Sequence, residues 1–196
     1  MKKNILITIM LLFPLVFNAQ NILYPMLKGV KVLNYRFDYS LFTINKIDAK
    51  DYYISYEAKT DNPEKEYDNF IKKLETVFIA SANNLSLIPK GYKLSNKDNL
   101  PYEVVIYIEN ADKDGEHKVG GIIVDKNINL IITSLEINVD GGNLNTFYNL
   151  FFEKLNRSGE VFGDKLADKI LKKAGTTGRE KKTKFLNKVQ NLKSFE

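Results

Sequence analysis

The chain has 196 residues and no cysteine. That absence excludes disulfides, thiolate metal sites, cysteine nucleophiles and a lipid anchor carried on a cysteine. There is one histidine, His117, so a His-rich zinc site is excluded and at most one imidazole is available as a base. Tryptophan is absent, and 11 Tyr and 12 Phe supply the aromatic content. No glycine-rich phosphate loop and no internal repeat is present. With 44% hydrophobic residues, the chain holds enough apolar matter for one domain with a real core, and too little length for two.

The first twenty residues read as a targeting segment. Lys2 and Lys3 give a short positive start, Ile5 to Phe17 is apolar apart from Thr8 and Pro14, and Asn18, Ala19 and Gln20 close the run. This is the layout of a secretory signal peptide. The apolar run is about thirteen residues, short of the roughly 17–25 of a membrane-spanning helix. The expected mature chain therefore begins near Gln20 or Asn21, is periplasmic or secreted, and carries no transmembrane span. The Ala-Gln ending and the Lys/Asn/Ile-rich composition resemble exported proteins of Bacteroidetes-type bacteria.

The net charge of +5 is unevenly placed. Without Lys2 and Lys3, 27 basic residues face 24 acidic ones. Residues 175–196 hold Arg179, Lys181, Lys182, Lys184, Lys188 and Lys193 against Glu180 and Glu196, or +4, which leaves residues 20–174 at 21 basic against 22 acidic. A nucleic-acid domain carries its basic face on the folded body, so a nucleic-acid partner is not expected. The division predicted is a signal peptide at 1–20, a domain at 21–174 and a basic C-terminal tail at 175–196. The tail is expected to be separable from the fold, with Lys181, Lys182, Lys184 and Lys188 as a candidate weak contact for an anionic surface. A frayed, solvated end is the plainer reading of it.

Along the body, residues 30–37 alternate as a strand, and Tyr52, Ile54 and Tyr56 suggest a short second strand or an extended arm. Asp61-Asn62-Pro63 starts a helix, with a side chain to cap it and a proline that needs no donor. Its stripe runs through Tyr67, Phe70, Leu74 and Phe78 and ends near Asn83-Asn84. Three strands follow, at 103–109, 117–124 and 128–139, joined by short turns as an antiparallel meander. Ile131, Leu135, Ile137 and Val139 are expected on one face of the last. Asn143 or Asn145 then caps a long helix to about Lys173, with Gly159, Gly163 and Ala167 on one ridge expected to pack on the sheet. The fold class predicted is α+β: one domain, mainly antiparallel sheet, with two long helices packed on it.

The candidate chemistry is thin. Asn110-Ala-Asp112-Lys-Asp114-Gly115 matches the first half of an EF-hand loop, but its twelfth position is Gly121, not Glu, so an acidic hairpin turn is expected. His117 is expected as a solvent-facing strand residue. Asp140-Gly141-Gly142-Asn143 reads as a turn into a helix, without the motif of an anion cradle. Tyr35, Phe37, Tyr39, Phe42, Tyr52, Tyr53 and Tyr56 gather near the mature start. Core packing explains most of such a cluster. Tyr35, Tyr39, Tyr52 and Tyr56 are the candidate recognition surface for a peptide or sugar. No cofactor and no metal is expected, and no carboxylate pair stands out among 24 acidic residues as a hydrolase pair.

The element order, with Val-Lys-Val-Leu early, Tyr-Glu-Val-Val-Ile-Tyr-Ile in the middle and Ser158-Gly159 to Gly163-Asp-Lys-Leu-Ala167 late, resembles small exported envelope domains related to the TolB amino-terminal domain and the curli-secretion lipoproteins. The resemblance covers roughly residues 30–173. It implies a protein–protein role in the cell envelope, although the lipid-bearing cysteine of many such proteins is missing. The reading is an exported, non-catalytic binding or scaffold domain that contacts an envelope protein or itself. The alternative is a soluble carrier or recognition domain for a small ligand, peptide or glycan.

Overall fold

The first strand forms where alternation is clearest. β1 (Val32–Asp38) sets Leu33, Tyr35 and Phe37 on one face and Asn34, Arg36 and Asp38 on the other. The computed structural model of the chain describes residues 27–141 and 147–175. The expected signal segment, Asn143, Asn145 and residues 176–196 lie outside the described residues.

Residues 43–57 depart from the strand or arm expected of them. Asn45 and Lys46 have φ of 51° and 69°, the two left-handed positions of a tight hairpin turn. They join β2 (Thr43–Ile44) to β3 (Ile47–Asp48). Asp48 then accepts bonds from the N–H groups of Lys50 and Asp51 at 2.9 and 3.4 Å and starts α1 (Ala49–Tyr52), which widens into a π-type turn at Tyr53–Glu57. A capping carboxylate and a turn that buries Tyr53 outweigh the alternation of residues 52, 54 and 56.

α2 (Pro63–Ser81) starts as the sequence predicts: Asn62 Oδ1 accepts from Lys65 N at 3.1 Å and Pro63 occupies the first turn. The α-helix proper ends at Ser81, close to the expected Asn83-Asn84, but the helical path continues. It widens into a π-type turn at Ala82–Leu87 and ends at Gly91, with φ of 80°. Asn83 is buried and pairs twice with the backbone of Leu94, as donor at 2.9 Å and acceptor at 2.8 Å. That anchors β4 (Lys93–Leu94).

The meander is β5 (Tyr102–Glu109), β6 (His117–Asp125) and β7 (Leu130–Val139). Its pairings are antiparallel, while β1 joins β5 and β4 in parallel, so the five-stranded sheet is mixed, in the order β4-β1-β5-β6-β7. Two glycines in β6 make room for rings. A Cβ at Gly121 would lie 2.6 Å from Phe162 on one face, and one at Gly120 would fall inside the Tyr107 ring on the other. A register shift between Ile123 and Val124 corrects one expectation. Thr133 pairs with Ile123, but Ile131 pairs with Val124. The extra residue flips the phase of β7, and Ile131 packs on the opposite face from Leu135, Ile137 and Val139.

α2 and α3 (Phe147–Gly175) lie together on the face of Val104, Ile106, Ile108, Val119 and Ile123. Gly159 and Gly163 face α2 and its following turn, not the sheet as expected: Cβ atoms there would lie 2.6 Å from Phe78 O and 2.7 Å from Ala82 O. Ser81 Oγ donates to Asn156 O at 2.6 Å and Ser86 Oγ to Glu160 O at 2.7 Å. The seam joins backbone to backbone, which only small residues permit. Phe78 and Phe162 meet edge-on beneath it at 5.2 Å. Truncating a buried Phe to Ala costs about 3–5 kcal/mol.

Candidate functional site

The acidic turn after β5 uses the Asp112 carboxylate internally. Asp112 Oδ1 accepts from the N–H groups of Asp114 and Glu116 at 2.9 and 3.0 Å, and Gly115 takes φ of 75°. Among the described residues no group of three His, Asp or Glu side chains is placed to hold a metal. The same turn holds the hairpin. Asn45 N donates to Ala111 O and Ala111 N to Thr43 O, both at 2.8 Å, and Lys113 N donates to Asn45 Oδ1 at 3.0 Å.

His117 is not the solvent-facing residue expected of it: it is only 2% exposed. It pairs with Val139 in the register that puts Val119 and Ile123 beneath the helices. β6 is buried on both faces, so alternation gives no contrast of inside and outside there. The ring lies 5.3 Å from Phe151. Nδ1 meets Gly115 O at 2.8 Å and Nε2 meets Ser158 Oγ at 3.2 Å. A backbone carbonyl fixes the proton on Nδ1 and leaves Nε2 as acceptor. Burial pushes the imidazole down to about 4, against the upward pull of the Gly115 carbonyl and Asp112. Ser158 is fully buried, and its single hydroxyl proton is shared between Nε2 and Leu155 O, the latter 2.8 Å from Oγ. The pair therefore locks β6 to α3 and presents no nucleophile to solvent.

Beside it a cavity of about 150 Å³ is lined by Asp140, Lys154, Arg157 and Ser158, among others. Pockets for drug-sized ligands measure roughly 300–1,000 Å³, so this space is smaller than such a site.

The four candidate tyrosines fall into two pairs. Tyr35 and Tyr39 flank the core between β1 and α2. Tyr39 Oη donates to Glu75 Oε1 at 3.0 Å and its ring stacks on Phe37 at 5.8 Å. Burial, then the Glu75 charge, pushes its phenol far above the usual range. Tyr52 and Tyr56 lie elsewhere, 5.0 Å apart, and Tyr56 is 67% exposed. Behind them rings continue inward: Tyr52 to Phe147 at 5.8 Å, Phe147 to Phe151 at 5.2 Å, then His117. Phe42, Phe147 and Phe151 stand between the two pairs. Lys181, Lys182, Lys184 and Lys188 lie outside the described residues.

The Tyr52–Tyr56 ledge is thus an exposed ring backed by a fixed stack and carried on the helical turn that follows a hairpin tied to the meander. The sequence marked its residues but not the Phe147–Phe151 backing. The signal for that was Phe147 and Phe151 at helical spacing.

No protein-family model matches the chain, and no curated protein matches it. Two solved structures are similar in outline. One is a Xanthomonas campestris protein described under DUF330, at 9% identity and TM-score 0.46, covering 75% of this chain and 89% of that one. The other, described as a neuraminyllactose-binding hemagglutinin homologue from Helicobacter pylori, is 14% identical with TM-score 0.35 and the same coverage. Neither is a TolB amino-terminal domain or a curli-secretion lipoprotein. Among the described residues no helix is long and apolar enough to cross a membrane.

Proposed function

We propose that the mature chain is a non-catalytic binding domain of the bacterial cell envelope, and that it contacts a protein partner through the Tyr52–Tyr56 ledge. The observation that carries this reading is Tyr56 at 67% exposure, its ring neighbour seated on a stack that reaches the core. A Tyr held in place offers a large amphipathic contact at low entropic cost. The one imidazole is neutral, buried and bonded at both nitrogens, which supports a role without acid–base chemistry. Location in the envelope rests on the layout of residues 1–20, and the likeness to TolB-related domains remains part of this proposal. The exposed face of Tyr56 equally suits the apolar face of a sugar, which keeps a peptide or glycan ligand as the second reading.

The test is a photo-crosslinking amino acid at Ile47, exposed on the hairpin, in the mature chain incubated with native envelope fractions and, separately, with a glycan array. A single protein adduct that Tyr52→Ala and Tyr56→Ala each weaken about tenfold, the scale of a contact worth about 1.4 kcal/mol, supports the first reading. Glycan retention with the same sensitivity supports the second. Binding indifferent to both substitutions removes the ledge from the function.

A further inference from the structure

The two helices cover one face of the sheet. On the other, Val105, Tyr107, Ile122 and Val124 form a second apolar cluster, none more than 4% exposed. Tyr107 lies on the outer side of the sheet, its ring seated over Gly120 and its Oη donating to Glu136 Oε1 at 2.9 Å. A ring laid on a sheet shows its outer face to water unless another layer lies on it, yet Tyr107 is 1% exposed. The described hydrophobics packed on the cluster are Leu41 and Ile131, both only partly buried.

We propose that the covering layer is the chain's own C-terminal segment, residues 182–196, with Phe185, Val189 and Leu192 seated on Val105, Tyr107, Ile122 and Val124. Those three residues stand at helical i, i+4, i+7 spacing and form one stripe. The charges fit. The strand register puts Asp38, Glu103, Glu109 and Glu136 on this face against Arg36, Lys93 and Lys118, while residues 179–196 carry six basic side chains against two acidic. The lengths fit as well. α3 packs against the edge strand β7 and ends at Gly175. Passing round that edge to the far face covers two layer spacings, about 20 Å, which six extended residues, 176–181, span. A helix of fifteen residues is about 22 Å long, against about 24 Å for five strands side by side.

This makes the tail part of the fold instead of the separable appendage expected from its charge, and it is independent of the Tyr52–Tyr56 ledge. The absence of native cysteine gives the test an empty background. In the mature chain Ser134→Cys or Asn138→Cys, both on this face, is combined in turn with Thr183→Cys, Asn187→Cys and Gln190→Cys and oxidised at low concentration. At least one pair closes an intramolecular disulfide, which is read as a faster-migrating, reducible species. In a second measurement Phe185→Glu with Leu192→Glu speeds tryptic cleavage within residues 179–188 at least tenfold. Disulfides formed only between chains assign the face to a second copy and overturn the proposal. No disulfide from any pair, with cleavage equally fast in both proteins, overturns it too.

Discussion

Gly159 and Gly163 offer the most direct energetic test of the fold. Replacing either by Ala gains about 1 kcal/mol of helix propensity. The new Cβ meets a backbone oxygen, Phe78 O at 2.6 Å or Ala82 O at 2.7 Å, which cannot swing aside as a side chain can. The helices must part by several tenths of an ångström. Each Ser-to-carbonyl bond of the seam, now 2.6 and 2.7 Å, contributes about 1 kcal/mol, and overpacking costs roughly 1–3 kcal/mol. One bond lost, plus overpacking, less the propensity gain, leaves a net destabilisation of roughly 1–3 kcal/mol per substitution. For a domain of this size that lowers the melting temperature by roughly 2–12 °C. Gly159→Leu and Gly163→Leu should fall further. Differential scanning calorimetry on the mature chain, with Ser86→Ala as the single-bond control, decides it. Either Ala variant melting at or above the parent temperature would show that the seam parts freely and refute the close-contact account.

Other outcomes follow from single residues. His117 has a folded pKa depressed to about 4, so the unfolded chain binds the proton first. Stability is full above about pH 7 and falls through the unfolded value near 6.5, by roughly 2 kcal/mol at pH 5; in His117→Gln, urea midpoints should lose that slope between pH 7 and 5. Tyr53→Ala should cost about 3–5 kcal/mol, as for other buried rings, while Tyr56→Ala stays within about 0.5 kcal/mol; equal denaturation midpoints for the two would invert the inside and outside of the 53–57 turn. Thermal melts with and without chelator should coincide, and a drop of several degrees would reveal a needed metal. Intact mass of exported protein should place the mature start near Gln20 or Asn21; a full-length product embedded in membrane would count against it.

Local chemistry was readable from the sequence wherever it was decisive. Asn62-Pro63 starts α2 because capping and a missing donor are properties of neighbouring residues, and the short turns between β5, β6 and β7 leave little choice but a meander. What depended on a partner was hidden. The spacing of Gly159 and Gly163 says that something approaches closely, and only assembly shows it to be α2 and not the sheet. His117 shares parity with Val119 and Ile123, but a strand buried on both faces gives alternation no contrast. One extra residue in β7 reverses Ile131 without changing its composition. At the candidate site, Tyr52 and Tyr56 were marked by type, but their separation from Tyr35 and Tyr39 arises from a helical turn that the Asp48 cap sets.

The loop between β5 and β6 touches two things at once. Its Ala111 and Lys113 amides hold the hairpin that leads into the ledge, and its Gly115 carbonyl holds the His117 ring. A ligand that steadies the ledge must lower the frequency with which this loop opens. Slowed amide exchange at Ala111, Asp112 and Lys113, together with an altered proton environment at the chain's one imidazole, would then report occupancy of a surface several residues away. A screen for ligands could monitor those few resonances and leave both tyrosines untouched.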